Sequence, residues 1–401
     1  MEGIKALLKN ERGVVLVISL MILTLLVGAG VGAIVSTQTD LKTSGNLKTR
    51  AEAFYIANAG IHHGWQELDD GDGTNDFADV FDATGTTTLF SNTSFGNGSY
   101  TATAVGVPGS IPNRIKVTST GCLPAGNPCP SGNSKAVIEA QLELFDIGPL
   151  PGAITLVGSG AIFTGGNSSS KLLSGDEASG CGTESHPVIA VTDGASKTNV
   201  LDEITATNNK PNTYVTSFNE GVADGGKVSD IVASGVVSNI NSTYGFDYTN
   251  VNDLKDLVDR IEKSADSVVA SGGSASLGTL AAPQIVVVNG DFEMKGGDSG
   301  VGILVVKGTL KLKGNPSYEG VILAIGAGNI QRSGRGSGEI KGGIIVANIV
   351  GSDGDYGTAD DVIGSPSLTT TGGGNSKILY CSTVVDQNFS ELVDMVTWQE
   401  R

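Results

Sequence analysis

Hydrophobic positions along the chain fall into three textures. The first is the uncharged run VVLVISLMILTLLVGAGVGAIV, 22 residues from Val14 to Val35. A helix needs about 20 apolar residues to cross a bilayer, so this run predicts a membrane-spanning helix. Beyond it, Leu47, Ala51, Phe54, Asn58, Ile61 and Trp65 recur at alternating spacings of four and three. That spacing places them on one face of a continuing helix, as expected if it packs on a globular head. Arg50, Glu52 and Gln66 fall largely off that face.

The second texture is strand-like. After the acidic stretch ELDDGDGTNDFADVFD come SYTATAVGV (99–107), IPNRIKVTSTG (111–121) and SKAVIEAQLELF (134–145). The last two alternate polar and apolar residues, as strands with one buried face do. Short connections make the three an antiparallel meander. DIGPLPG (146–152) then reads as a boundary, because Pro149 and Pro151 break regular pairing.

The third texture follows that boundary. IVVVNGDFEMKGG, GILVVKGTLKLKG and GVILAIGAGNIQRSG are variants of one unit, followed by GGIIVANIVG. Glycines open the runs at Gly302, Gly320 and Gly343, spaced 18 and 23 residues apart. Repeats that cannot each bury their own face point to a β-solenoid, with a glycine-rich β-sandwich as the alternative. AITLVGSGAIFTGG (153–166) reads as a first strand pair of the same body, and VNDLKDLVDRIEKS (251–264) as a helix within an insertion. The expected fold is α+β: a long N-terminal hydrophobic helix on an antiparallel β-meander, then a solenoid-like, glycine-rich all-β domain. The expected boundaries are a leader at 1–13, the apolar helix at 14–36 and its continuation at 37–68. The head then takes 69–148, and the β-rich body takes 149–401 with an insertion around 167–282.

The segment before the apolar run, MEGIKALLKNERG, carries Lys5, Lys9 and Arg12. Positive charge there keeps the N-terminus cytoplasmic and sends the rest across the membrane. An ordinary signal peptide has a shorter apolar core and a small-residue cleavage site, which Gly28, Ala29, Gly30 and Gly32 imitate. A plain signal anchor is a second reading. A third rests on the junction Arg12-Gly13-Val14, where glycine stands directly before the apolar run. Gly28, Gly30 and Gly32 lower helix propensity and suit either close helix packing or local unwinding.

The basic leader, the Arg12-Gly13 junction, the apolar helix and the later NLKTRAEAFYIANAGI resemble the N-terminal region of PilX-type minor pilins. The resemblance implies the pilin architecture, cleavage between Gly13 and Val14 by a prepilin peptidase, and methylation of Val14. It implies that the apolar helix stays on the mature protein as the assembly element. One departure stands out. Major pilins carry glutamate at the fifth mature position, where this chain has Ile18. A carboxylate in an apolar core is costly unless paired, and in the family it pairs with a neighbouring subunit's N-terminal amine. Without it, this chain resembles the tip-located minor pseudopilin of type II secretion, which implies a tip or initiating position. The partners implied are minor and major pilins, the pilus assembly machinery, the prepilin peptidase and a large tip adhesin. The location implied is a single pass of the inner membrane before assembly, then the cell surface.

Charge narrows the alternatives. The net charge of −17, with lysine and arginine scattered singly, argues against a nucleic-acid partner. The 58 glycines follow no collagen-like period and indicate many tight turns. Cys122 and Cys129 flank a Pro/Gly loop between two strands, where a hairpin brings them within disulfide reach. Cys181 and Cys381 either form a second bridge or stay free; the sequence leaves both open.

Candidate chemistry is sparse. Asp353, Asp355, Asp360 and Asp361 crowd SDGDYGTADDVIG, and an oxygen-rich loop suits calcium better than zinc. The spacing does not match an EF-hand, and a solvated acidic turn is the plain alternative. Asp69, Asp70, Asp72 and Asp76 form a weaker cluster of the same kind. GGDSGVG around Ser299 lacks an accompanying histidine motif for a serine-protease triad, and His62 and His63 read as surface or interface residues. Arg332, Arg335 and Lys341 would supply cations to a polysaccharide lyase, though a serine/glycine-rich turn ordinarily exposes such groups to solvent. The expectation is therefore a non-enzymatic filament subunit. A type II secretion pseudopilin and a membrane-anchored surface solenoid that binds or cleaves polysaccharide remain as alternatives.

Overall fold

A computed structural model describes residues 11–69, 75, 77–83, 85–110, 113–144, 147–166, 171–205, 213–218, 225–389 and 393–400. Helix α1 runs unbroken from Glu11 to Asp69. Its second half lies on an antiparallel sheet formed by β1 (Thr87–Phe95), β2 (Gly98–Gly106), β3 (Arg114–Leu123) and β4 (Ser134–Leu144). The meander read from the sequence is present, with β1 as an additional first strand. A short helix α2 (Phe77–Asp82) occupies part of the stretch expected to be loop.

Small residues decide how the helix meets the sheet. Ala53, Ile56, Ala57, Ile61 and Leu68 are buried against Ile115, Val117, Ile138, Ala140 and Leu142. On the sheet side, Ile115 faces Leu142, Val117 faces Ala140 and Gly121 faces Ala136 across the β3–β4 ladder. A methyl group at Gly121 would overlap the carbonyl oxygen of Ala53, and one at Gly60 would overlap the Ser119 hydroxyl. Backbone therefore approaches backbone. The expected stripe through Leu47, Ala51, Phe54, Asn58, Ile61 and Trp65 needs correction. Ile61 is buried, but Leu47 is 64 % exposed, Ala51 is exposed, and Phe54 and Trp65 are only partly covered. Large side chains would hold the helix off the sheet, so the inward face rotates onto alanine and glycine.

The remaining strands make the body. The chain lays down β5 (Ile154–Val157), β6 (Ile162–Thr164), β7 (Leu172–Glu177), β8 (Ile189–Val191), β9 (Thr213–Val215) and β10 (Val228–Asp230). Helices α3 (Gly194–Thr205), α4 (Val236–Tyr244) and α5 (Val251–Lys263) accompany them. A second series follows: β11 (Ser267–Ala270), β12 (Gln284–Asn289), β13 (Phe292–Met294), β14 (Ser299–Val306), β15 (Thr309–Lys313), β16 (Ser317–Gly326) and β17 (Asn329–Ser333). It ends with β18 (Glu339–Val350), β19 (Val362–Ile363), β20 (Ser367–Thr371) and β21 (Lys377–Tyr380), then helix α6 (Ser382–Phe389). One sheet runs β10-β8-β5-β18-β16-β14-β12-β11 and the other β13-β15-β17-β20-β6, with parallel pairing along both paths.

Register shows why these sequences stack. Val286, Leu304, Ile322, Ile344, Ile154, Ile189 and Val228 form one continuous column, each fully buried. Burying each such side chain contributes about 1.5–3 kcal/mol. Gly302, Gly320 and Gly342 form another column, with φ of 122°, 153° and 134°. At this bend an added methyl on Gly320 would overlap the Gly302 oxygen. The repeat glycine is thus Gly342 in place of Gly343, which pairs instead with Val321.

Two of the expected domain boundaries differ in the structure. The 167–282 segment is more than an insertion, because β8 and β10 extend the stack beyond β5 and β7 adds to β21. The body also does not run to the C-terminus. The last strand, β22 (Val393–Glu400), returns to the head and pairs antiparallel with β4. The body is therefore inserted between two neighbouring strands of the head sheet. Trp398 of β22 packs edge-on against Phe54 at 5.6 Å between ring centroids, and its indole N–H donates to Asn58 Oδ1 at 3.3 Å.

Glu143 on β4 ties head to body. Its buried carboxylate accepts from Arg114 on β3 at 2.8 Å and from Arg260 on α5 at 3.0 Å. We expect Arg260→Met to lower stability by about 1–3 kcal/mol, the scale of a hydrogen bond to a charged group. Calorimetry should then resolve separate head and body transitions; a single unshifted transition would refute the joint. Gly121→Ala should destabilise the head by about 1–3 kcal/mol through overpacking. Gly45→Ala, whose methyl meets nothing, should be neutral or mildly stabilising in the same denaturation series.

Candidate functional site

Among the described residues, the first half of α1 has no packing partner. From Val15 to Val35 the large apolar side chains are exposed, with Ile18 at 51 % and Leu25 at 73 %. This is a helix long and apolar enough to cross a membrane, with none of its apolar window buried. Its few polar groups are satisfied locally. Ser19 Oγ donates to the Leu16 carbonyl and Thr24 Oγ1 to the Met21 carbonyl, both at 2.9 Å. No charged residue occurs between Val14 and Asp40. An unpaired polar group in hydrocarbon costs several kcal/mol, so these bonds suit the segment to an apolar environment.

The junction residues Gly13 and Val14 lie within the helical backbone of α1, whose described part begins at Glu11. Gly28, Gly30 and Gly32 remain helical, so the isolated chain shows no unwinding there. A methyl at any of the three would meet nothing. Gly28 and Gly32, one turn apart, share a face that a neighbouring helix could approach closely, and Gly30 lies on the opposite side. Farther along, His63 stacks on Phe90 at 3.7 Å between ring centroids and its Nδ1 lies 2.5 Å from the Tyr100 hydroxyl. His62 is exposed.

Both cysteine pairs are bridged. Cys122–Cys129 closes the loop between β3 and β4, and Cys181–Cys381 joins positions 200 residues apart. The second bridge ties the segment after β7 to the start of α6. Glu177 lies beside it, but the two sulfurs are bonded to each other, and the Glu177 carboxylate accepts from the Ser382 N–H at 3.0 Å. No thiolate is left to hold a metal there.

The acidic loop between β18 and β19 is closed by its own hydrogen bonds. Asp360 accepts from the Ser352 hydroxyl and N–H at 2.7 Å and from Thr358 at 2.8 Å. Those bonds hold its carboxyl down at about 2. Asp361 pairs with Lys255 at 2.8 Å and accepts from the Gly357 N–H at 2.9 Å. Burial pushes the Asp361 carboxyl up, and these partners more than offset it. Asp353 accepts from the Asp355 N–H. Among the described residues, no three of these four aspartates bring ligand oxygens within 4.8 Å of one another. Of the second cluster, Asp70, Asp72 and Asp76 and the Asp69 side chain lie outside the described residues.

The catalytic candidates do not assemble. The cleft beside Ser299 is lined by Gly278, Leu280, Tyr318, Glu319 and Lys341 among others, without a histidine. His186 packs on Tyr380 at 4.1 Å, and burial pushes its imidazole down against the pull of Glu184 and Glu177. The cations expected to serve a lyase are separated. Arg332 is 7 % exposed, Arg335 is exposed, and Lys341 is paired with Glu319 at 2.9 Å. Arg332 was expected in a solvated turn, but β17 alternates and Arg332 shares the inward parity of Ile330. That parity was the signal for its burial in the sequence.

The comparisons bear on α1. The family model described as PilX N-terminal matches residues 12–62. No curated protein matches the chain. Among solved structures, the competence-associated pilin ComZ from Thermus thermophilus aligns at 13 % identity, covering 88 % of this chain and 97 % of that one, with a TM-score of 0.25. The assignment is carried by the match at 12–62, which contains the Arg12-Gly13-Val14 junction, the exposed apolar helix and the small-residue face gripped by the head. Over residues 12–62 the chain resembles the PilX N-terminal region, and that likeness supports a type IV minor pilin.

Proposed function

We propose that this chain is a structural subunit at the tip of a type IV pilus, where it takes part in initiating assembly. The observation that carries the reading is α1: its apolar half is left uncovered by its own chain and carries Ile18 where a carboxylate would pair with an adjoining subunit. A helix of this kind is held in the inner membrane until neighbouring pilin helices replace the lipid. Lacking the carboxylate, the subunit cannot offer the charge pairing that docks one pilin beneath another. The bulk of the body supports an end position as well. It occupies 147–389 between two strands of one head sheet, and a subunit at the end of a filament has no neighbour beyond it to clash with.

In this reading the prepilin peptidase cuts between Gly13 and Val14, and Val14 becomes the methylated N-terminus. The partners are other minor pilins, the major pilin, the assembly machinery and a large tip adhesin. The body acts as a β-solenoid-like display module, a view supported by its long parallel registers and its stacked aliphatic columns. A pseudopilin of type II secretion would share the leader and the helix, and the genes beside this one separate the two systems.

Two measurements test the proposal. Mass spectrometry of the membrane-fraction protein should find a mature terminus at methylated Val14; a terminus beyond Val35 would overturn the reading, because no assembly helix would remain. In assembled filaments, Ile18→Glu should redistribute the subunit from the tip into the shaft. Unchanged tip-only labelling would show that this residue does not set position.

A further inference from the structure

Among the described residues, the interior of the body holds two cations that no carboxylate pairs with. Along the inward column of the second sheet, Met294, Leu312, Arg332 and Thr370 follow one another in register. Arg332 thus takes a place where neighbouring coils put methionine and leucine. It is 7 % exposed, and its guanidinium has no hydrogen bond or ion pair among the described residues. Lys171, 2 % exposed, points into the same place. Its ammonium donates to the Gly372 carbonyl at 3.0 Å and, more weakly, to the Gly165 carbonyl at 3.4 Å. The nearby Glu203 carboxylate accepts from the Gly165 N–H at 3.4 Å and makes no ion pair with either cation.

Two like charges in a desolvated site repel each other unless something of opposite charge lies between them. Burial, with Arg332 beside it, pushes the Lys171 ammonium down to about 8. Burial pushes Arg332 down to about 10, with Tyr214 opposing. Both groups therefore remain cationic at neutral pH. Between them lies a cavity of about 30 Å³, whose wall includes Leu312, Pro316, Ile340 and Thr370. A cavity of that kind holds a water once it reaches about 10–15 Å³, so the space is on the order of two waters, the scale of a small monoanion.

We propose that Arg332 and Lys171 form an interior binding site for a halide-sized monoanion, which neutralises the pair and thereby stabilises the body. Arginine contributes several N–H donors in a fixed plane and lysine one remaining donor, and Ser333, Thr371 and Ser376 line the same cavity. The site is structural and sits apart from α1, so it stands or falls independently of the filament role.

The experiment uses the full chain in detergent, melted while chloride replaces gluconate at constant ionic strength. The Tm should rise with chloride and saturate, as binding to the folded state requires. Bromide should substitute for chloride, and sulfate should not. Arg332→Met should abolish the dependence, or weaken half-saturation by at least about tenfold, a loss of about 1.4 kcal/mol. In gluconate the same variant should melt no lower than the parent, because a buried unpaired charge has been replaced by an apolar side chain. The exposed Arg335→Met serves as the control and should keep the parent's chloride response. If Arg332→Met does not fold, Lys171→Met should show the same loss, read by the line width of the ³⁵Cl resonance. Equal Tm values in chloride and gluconate for the parent would overturn the proposal. So would an unchanged chloride response in both variants, or equal saturable stabilisation by sulfate.

Discussion

The constraint on which the molecule depends is an apolar helix that its own fold does not cover. From Val15 to Val35 every large side chain faces outward, while from Ala53 onward the same helix is clamped to a sheet. The difference lies in side-chain size. The gripped part offers Ala53, Ala57, Gly60 and Gly64 to the sheet, so backbones come into contact and the interface closes tightly. The free part offers leucine, isoleucine and valine, with three glycines open to a neighbour. Burial of that surface has to come from lipid or from other subunits. The head therefore serves as a handle on a helix whose stable environment lies outside the chain.

The route of the chain adds a second dependence. Because β22 closes the head beside β4, the head sheet is complete only after the whole body has been made. The two parts are then joined through Glu143, which draws on an arginine from each. On the other side, Trp398 brings the C-terminal strand against the helix at Phe54. A subunit built this way carries its body as an insertion in the head, held at both ends, so force on the body passes into the sheet that grips the helix.

Within the body, stability comes from repetition. Parallel stacking places aliphatic residues over aliphatic residues and glycine over glycine, and a change at one level is felt by the levels on either side. The series from β5 and the series from β11 are far apart in sequence, yet they meet as one stack where Ile154 pairs with Ile344. The Cys181–Cys381 bridge fixes the two series together close to that seam. Arg332 is an exception to the apolar columns, and an exception of that kind is where chemistry other than packing is expected.

The sequence by itself determined the apolar helix, strands β3 and β4, the helix near 251–263 and the repeating coils. Each of these is encoded by local periodicity, which survives without knowledge of partners. The tertiary structure decided which helix face meets the sheet, because that choice depends on how closely two backbones can approach. It decided that VDMVTWQE completes the head, since pairing between β4 and β22 spans some 250 residues and leaves no local pattern. It decided that Cys181 reaches Cys381 and that Arg332 and Lys171 share one cavity. Local periodicity reports which face of an element is apolar; only the folded chain shows what that face, or a charge hidden on it, is set against.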